Sequence, residues 1–159
     1  MFIQPRILTY NFHEPYLCLM AKSKWHFDVG NYSNEPMARH WHSSFRPIPD
    51  NIHLVEERIW RARLAANYYD VIITQNESNA LDVASSSAAK ILICHNRRTY
   101  MNTSITSREG DPKASYDALL NHLQQRGFQF VFISDSKKED YGIDGKVIYR
   151  DVTGGLIAP

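Results

Sequence analysis

The chain has 159 residues, 18 Lys and Arg against 17 Asp and Glu, and a formal net charge of +1. This balance gives no long-range field that would attract nucleic acid, so we expect no nucleic-acid partner. Its 3 Trp, 9 Tyr and 7 Phe exclude disorder over most of the length. No apolar run reaches the ~20 residues that span a bilayer, and the amino terminus lacks the pattern of a signal peptide, so the expected location is cytoplasmic.

Short apolar runs alternate along the chain with segments of helical spacing. The runs predict strands at residues 6–10, 27–29, 52–55, 70–74, 90–94 and 128–133, with residues 146–149 as an optional seventh. Helices are predicted after Pro15, at 56–68, near 77–85, and from the Asp111–Pro112 pair to Gly127. The charged stretch 137–140 is interpreted as a solvated turn.

This alternation predicts an α/β protein. Strands separated by helices favour a parallel sheet, because parallel neighbours need a helix-length connection. The runs 71–73 and 91–93 are apolar without alternation, as expected of strands covered on both faces. We therefore expect a single domain over residues 1–159 with a Rossmann-like, doubly wound, mostly parallel sheet of about six strands in three α/β/α layers. The long segments 30–51 and 95–111 are interpreted as binding loops or lids, or else as disordered.

Ligands of an open parallel sheet bind outside the carboxyl ends of the strands, where the strand order reverses. Polar residues follow four of the predicted strands, and as candidate ligand-binding residues we take Asn11, His13, Glu14, Gln75, Asn76, His95, Asn96, Arg97, Arg98 and Ser134. These side chains suit a hydroxyl-rich or anionic ligand. The alternative is that they cap helices and turns, as such residues commonly do.

His95 is the candidate catalytic residue. It follows a buried strand, so its ring could face the crevice and accept a proton or a hydroxyl hydrogen bond. Otherwise it is a strand-end histidine that the backbone satisfies. Arg97 and Arg98 could clamp a phosphate or carboxylate, or remain solvated. Glu14 beside His13 makes a second acid–base pair, or is only a favourable first-turn acid.

Several cofactor and metal motifs are absent from the sequence. The turn at residues 11–15 is not glycine-rich, so the dinucleotide fingerprint is missing, and there is no P-loop or nucleophile elbow. His40 and His42 could bind one metal ion together only if they lay in a strand, where residues two apart share a face. No third metal ligand is evident in the sequence. Cys18 and Cys94 are interpreted as small buried hydrophobes. We therefore expect no cofactor and no metal.

Four stretches resemble the amino-terminal half of a GT-B glycosyltransferase, in the same order along the chain. The similarity is closest to the retaining, metal-independent bacterial and archaeal enzymes that move a sugar from a nucleotide donor. The stretches are Arg6-Ile-Leu-Thr-Tyr-Asn-Phe-His-Glu-Pro-Tyr16, Tyr69-Asp-Val-Ile-Ile-Thr-Gln-Asn76, Lys90-Ile-Leu-Ile-Cys-His-Asn96 and Phe132-Ile-Ser-Asp-Ser-Lys-Lys-Glu139.

The resemblance implies that the two substrates bind to different domains. The amino-terminal domain binds a sugar or glycan acceptor, and the carboxyl-terminal domain holds most contacts to the nucleotide-sugar donor, which is a substrate and not a cofactor. His95 resembles a histidine that lies near the transferred sugar. The loop at 11–14 resembles one that approaches the donor phosphates or the acceptor, although the usual glycine pair is missing here.

The resemblance also implies that this chain is half of an enzyme. It stops at Pro159, where the family crosses into its second domain, so we expect it to be inactive alone and to serve cell-surface glycan or polysaccharide synthesis. Peripheral association with the inner face of the membrane is a further option. The competing hypothesis is a non-catalytic, flavodoxin-like module that binds a ligand or a partner.

Overall fold

A computed structural model of the protein describes residues 4–33, 41–98, 100, 112–150 and 156–157. Within these residues, seven strands form one sheet: β1 (Ile7–Tyr10), β2 (Phe27–Gly30), β3 (Ile52–Val55), β4 (Val71–Thr74), β5 (Ala89–Cys94), β6 (Phe128–Phe132) and β7 (Lys146–Val147). The helices of the described part include α1 (Glu14–Ala21), α2 (Glu57–Ala65), α3 (Glu77–Asp82), α4 (Pro112–Gln125) and α5 (Asp135–Tyr141). Two further strands, β8 (Tyr149–Arg150) and β9 (Leu156–Ile157), pair antiparallel.

The sheet is entirely parallel, with strand order β3-β2-β1-β4-β5-β6-β7. The chain winds outward from β1 to β3 and then returns to place β4 beside β1, so the strand order reverses between β1 and β4. This confirms the predicted Rossmann-like α/β/α fold. A flavodoxin-like sheet has the order 2-1-3-4-5. The flavodoxin-like topology in the competing hypothesis is therefore wrong.

The sheet buries a separate apolar cluster on each face, because successive strand residues point to opposite sides. On one face, the helices α2 to α5 cover the strands. Buried members of this cluster include Leu8, Ile72, Leu92, Trp60, Tyr116, Leu120 and Tyr141. On the other face lie α1 and the segment around Trp41, and the buried members include Ile7, Val29, Ile93, Leu17 and Met20. The apolar strands are thus covered on both sides, as predicted.

Gly30 allows helix α2 to approach the end of β2 closely. The Trp60 ring is fully buried, and a Cβ atom at position 30 would lie 2.9 Å from its Cδ1 atom. The Trp60 Nε1–H group donates to the backbone oxygen of Asn31 at 3.0 Å. The contact fixes the carboxyl end of β2 against α2.

The predicted turn at residues 137–140 is wrong, because these residues belong to helix α5. The Ser134 hydroxyl accepts a hydrogen bond from the backbone N–H of Lys137 at 3.3 Å and caps the helix start. Tyr141 is buried at the other end, and Gly142 ends the helix with φ of 64°, a left-handed conformation that favours glycine.

Two other predicted boundaries also change. The helix predicted at 56–68 ends at Ala65, where Ala66 leaves helical geometry and Asn67 follows with φ of 51°. The optional strand at 146–149 divides, because Val147 pairs with β6 whereas Tyr149 belongs to β8.

Some predicted features lie outside the described residues. They are His40 in the long segment 30–51, most of the loop 95–111, and the helix cap at Asp111. Within the described part, no helix is both long and apolar enough to cross a membrane. In the same part, no group of three or more His, Cys, Asp or Glu side chains is arranged to hold a metal ion.

Candidate functional site

The candidate site lies at the carboxyl edge of the sheet, at the reversal of strand order. Strands β1, β4 and β5 are neighbours there and run in the same direction. Asn11 follows β1, Gln75 follows β4, and His95 follows β5. Because parallel strands end at the same edge, the fold brings these three predicted residues together, and we call them the crevice triplet.

The crevice triplet carries buried polar atoms that the rest of the described protein leaves unsatisfied. Asn11 is 2% exposed and Gln75 is 4% exposed. Among the described residues, no hydrogen-bond partner reaches Asn11 Nδ2, either polar side-chain atom of Gln75, or either ring nitrogen of His95. A buried polar group without a partner costs about 1–3 kcal/mol, so such groups mark places where a ligand or ordered water binds.

The surroundings of His95 favour its neutral form. Its ring packs against Tyr16, with 4.2 Å between ring centroids, and against His13 at 5.1 Å. Burial, together with the charges of His13 and Lys137, lowers the pKa of His95 to about 4. At neutral pH the ring therefore has one donor and one acceptor nitrogen. Such a ring can accept a hydroxyl hydrogen bond or take up a proton.

Two aromatic neighbours complete this part of the site. His13 lies between Phe12, at 4.6 Å between ring centroids, and His95, and burial lowers its pKa as well. Tyr16 was not among the sequence candidates. Its signal in the sequence is the apolar stripe of the first helix, which indicates packing and gives no sign of contact with a histidine from β5.

Two of the predicted site residues act as helix caps. The Asn76 side chain accepts a hydrogen bond from the backbone N–H of Asn79 at 2.8 Å at the start of α3. Ser134 does the same for α5. For Asn76 and Ser134, the structure therefore matches the alternative that such polar residues cap helices, since the side-chain oxygen of each accepts a capping hydrogen bond.

Glu14 and Arg98 are also held by the protein. The Glu14 carboxylate accepts from the backbone N–H of His42 at 2.8 Å, which ties the segment after position 41 to α1. The Arg98 guanidinium forms an ion pair with Asp117 and donates to the backbone oxygen of Tyr141 at 2.8 Å. These contacts position the walls of the crevice and leave fewer donors for a ligand.

Arg97 lies at the outer rim, next to a lysine that sequence reasoning missed. Arg97 and Asn96 are exposed, whereas Lys137 on α5 is half-buried. The backbone N–H of Arg98 donates to Asp140, one turn after Lys137, at 2.7 Å, which brings this part of the loop against α5. Burial lowers the pKa of Lys137, and the charge of Arg97 lowers it further. The sequence predicts a solvated turn at 137–140, and a turn does not indicate which way the Lys137 side chain points. Lys137 is therefore absent from the candidate residues.

A buried hydrogen-bonded network anchors the site from behind. The Tyr116 hydroxyl donates to Glu77 Oε1 at 2.6 Å and lies 3.2 Å from the Tyr141 hydroxyl. Burial raises the pKa of Glu77, and the Tyr116 hydrogen bond opposes that rise. Because Glu77 begins α3 while Tyr116 and Tyr141 lie on α4 and α5, the network joins three helices behind the crevice.

Three open pockets in the described part lie away from the crevice. One of about 390 Å³ is lined by apolar residues of α1 and by Trp25. Another of about 280 Å³ lies at the amino edge of the sheet around His26, Asp28 and His53, and one of about 590 Å³ lies beside β6 and β7. None of the three is lined by the crevice triplet. The candidate site therefore rests on convergent polar groups and not on cavity size.

Comparisons of the chain with protein-family models, with curated proteins and with solved structures give no match. The fold and the site define a Rossmann-like α/β protein with a polar crevice at the reversal of its strand order.

Proposed function

We propose that this chain is the acceptor-side domain of a GT-B glycosyltransferase, which transfers a sugar from a nucleotide-sugar donor to a hydroxyl group of a sugar or glycan. The observation that carries the proposal is the set of buried, unpartnered polar atoms of the crevice triplet, Asn11, Gln75 and His95. The resemblance of four sequence stretches to that family supports the same function.

The chemistry of the triplet matches a hydroxyl-rich ligand. Gln75 provides both an amide donor and a carbonyl acceptor, and Asn11 provides a free amide donor. A sugar hydroxyl is itself a donor and an acceptor, so it can satisfy either group. His95, held neutral, accepts the hydrogen of a hydroxyl and is placed to act as a base toward it. The donor nucleotide sugar would be held by a second domain.

The test is turnover by the product of the natural gene, with His95→Ala and His95→Gln beside the unaltered protein. With nucleotide sugars and saccharide acceptors as substrates, we expect His95→Ala to lower kcat roughly 100-fold or more, the range typical of a lost acid–base group. We expect the thermal midpoint of His95→Gln to change little, since neither ring nitrogen is bonded to the described protein and glutamine fills much of the same space. His95→Ala also loses the ring contacts with Tyr16 and His13, so its turnover is compared with that of His95→Gln.

His122→Ala is the matched control, because His122 lies on α4, outside the crevice. Its turnover should equal that of the unaltered protein. Unchanged turnover in His95→Ala would contradict the role of His95. Saccharide binding without any turnover would instead support a non-catalytic binding module.

A further inference from the structure

Two cations, Arg97 and Lys137, lie beside the crevice triplet. Strands β5 and β6 are paired, with Cys94 opposite Phe132, so the residues that follow the two strands are neighbours. Arg97 comes two residues after His95, and Lys137 is the third residue of α5. Asp140, one turn after Lys137 on α5, accepts a hydrogen bond from the backbone N–H of Arg98 at 2.7 Å, so the chain at Arg97 lies against the turn of α5 that carries Lys137. The charge of Lys137 also contributes to the lowered pKa of His95.

Three nearby carboxylates have other partners. Asp140 accepts from the Arg98 backbone N–H at 2.7 Å, and Asp135 accepts from the Tyr149 hydroxyl at 2.6 Å. Asp117 pairs with Arg98. Across the described ranges, neither Arg97 nor Lys137 forms an ion pair with a carboxylate.

This arrangement differs from that of an ordinary surface lysine. Lys138, the next residue on α5, reaches Asp144 at 3.9 Å. Lys137 is half-buried on the turn of α5 that Arg98 contacts through Asp140, and like charges held close together repel. An anion between Arg97 and Lys137 would remove that repulsion, with Arg able to bond it through two N–H groups and Lys as a point charge.

We propose that the crevice binds a saccharide that carries an oxyanion, a phosphate or a carboxylate, with the oxyanion at Arg97 and Lys137 and the hydroxyls at Gln75 and His95. This inference rests on the proposed function and names its substrate class. The acidic group fixes the orientation of the saccharide, and the triplet contacts the remainder of the ring.

The experiment measures affinity by calorimetry with four probes: glucose, glucose 6-phosphate, glucuronate and inorganic phosphate. In the unaltered protein, we expect at least one charged saccharide to bind 10-fold or more tightly than glucose. The comparison of glucose 6-phosphate with glucuronate identifies the oxyanion, and inorganic phosphate shows how much of the affinity the anion supplies alone.

Lys137→Gln and Arg97→Gln test the site, and Lys138→Gln is the matched control. We expect Lys137→Gln and Arg97→Gln each to remove most of the advantage of the charged saccharide while leaving glucose affinity unchanged. Lys138→Gln should keep the advantage. In a parallel NMR titration, binding of the charged saccharide should raise the pKa of His95, because the anion offsets the charge of Lys137.

The outcomes separate this inference from the proposed function. Equal affinity for charged and neutral saccharides, or an advantage that survives in both Lys137→Gln and Arg97→Gln, overturns the oxyanion site and leaves the glycosyltransferase proposal intact. Tight binding of a charged saccharide without turnover by the natural gene product supports the site and overturns the enzymatic proposal. No binding of any of the four probes overturns the oxyanion site, and the turnover assay then decides the glycosyltransferase proposal separately.

Discussion

At the scale of single residues, His95 shows how burial can set the behaviour of a functional group. Its ring is packed against Tyr16 and His13, and burial holds its pKa at about 4, below the value of about 6.5 for a free histidine. The described protein offers neither ring nitrogen a hydrogen bond. The same environment that keeps the ring neutral must therefore make the folded state sensitive to acid.

The sign of this sensitivity follows from proton linkage. Above pH 6.5 both states leave His95 neutral, so its titration does not affect stability. Between pH 6.5 and about 4 the unfolded chain takes up a proton that the folded protein refuses, so the free energy of unfolding falls as the pH falls. Because the ring is only half-buried, we expect a loss of about 1 kcal/mol between pH 7 and pH 5.

Urea unfolding at pH 7 and pH 5 measures this loss. His95→Gln should lose about 1 kcal/mol less stability than the unaltered protein over the same interval, because glutamine has no proton to gain. His26→Gln is the control, since His26 is exposed at the opposite edge of the sheet. An identical pH dependence in His95→Gln and the unaltered protein would mean that the half-buried ring does not resist protonation.

The positions of the site residues could be predicted from the sequence, but their roles could not. Asn11, Gln75 and Asn76 all follow apolar runs, and the rule that ligands bind beyond strand ends selects them equally. Asn76 caps a helix, whereas Gln75, its neighbour, has both side-chain polar atoms unpartnered. The difference depends on side-chain direction and on partners distant in sequence, which a single sequence does not give.

At the scale of elements, helix α5 depends on its two ends more than on an apolar stripe. It has seven residues, of which Tyr141 is buried. Ser134 caps its start and Gly142 its end. A helix with so little buried surface gives almost no periodic signal, so the charged residues 137–140 predict a turn from sequence alone. By contrast, β4 and β5 are continuous apolar runs and were predicted to within one residue.

The cap makes a clear prediction for Ser134. Ser134→Ala should lower the free energy of unfolding by about 1 kcal/mol, because the backbone N–H of Lys137 loses its acceptor. Ser134→Asn should keep most of the stability, because asparagine caps helices as well as serine does. The measurement is urea unfolding of both variants. Equal stability in Ser134→Ala and the unaltered protein would show that the hydroxyl does not hold the helix.

At the scale of the whole molecule, one sheet supports two apolar clusters. The parallel arrangement could be predicted, because helix-length connections leave few alternatives. The strand order could not be read from the same runs, because pairing of β1 with β4 joins segments more than 60 residues apart, as in the pair Ile7 and Val71. That long-range pairing creates the reversal at which the crevice forms, so the location of the site is a property of the assembled sheet.

The two clusters should unfold together, because β5 contributes adjacent side chains to both. Leu92 packs in the cluster under α2 to α5, and Ile93 packs in the cluster under α1. Leu92→Ala and Ile93→Ala should each lower the free energy of unfolding by about 2–5 kcal/mol through the cavity that each creates. We expect each substitution to destabilise both clusters equally, since neither face of the sheet can persist after the strands separate.

Tryptophan fluorescence distinguishes the two faces in this experiment. Trp60 is buried in one cluster and Trp41 in the other, while Trp25 is 47% exposed and is replaced by phenylalanine. One protein retains only Trp60 and another retains only Trp41. For a given alanine substitution, Leu92→Ala or Ile93→Ala, the urea midpoint should shift by the same amount in both proteins. A shift of the Trp60 signal alone with Leu92→Ala would mean that the two sides of the sheet melt separately. The crevice residues beyond β1, β4 and β5 would then lose their common support before the protein unfolds.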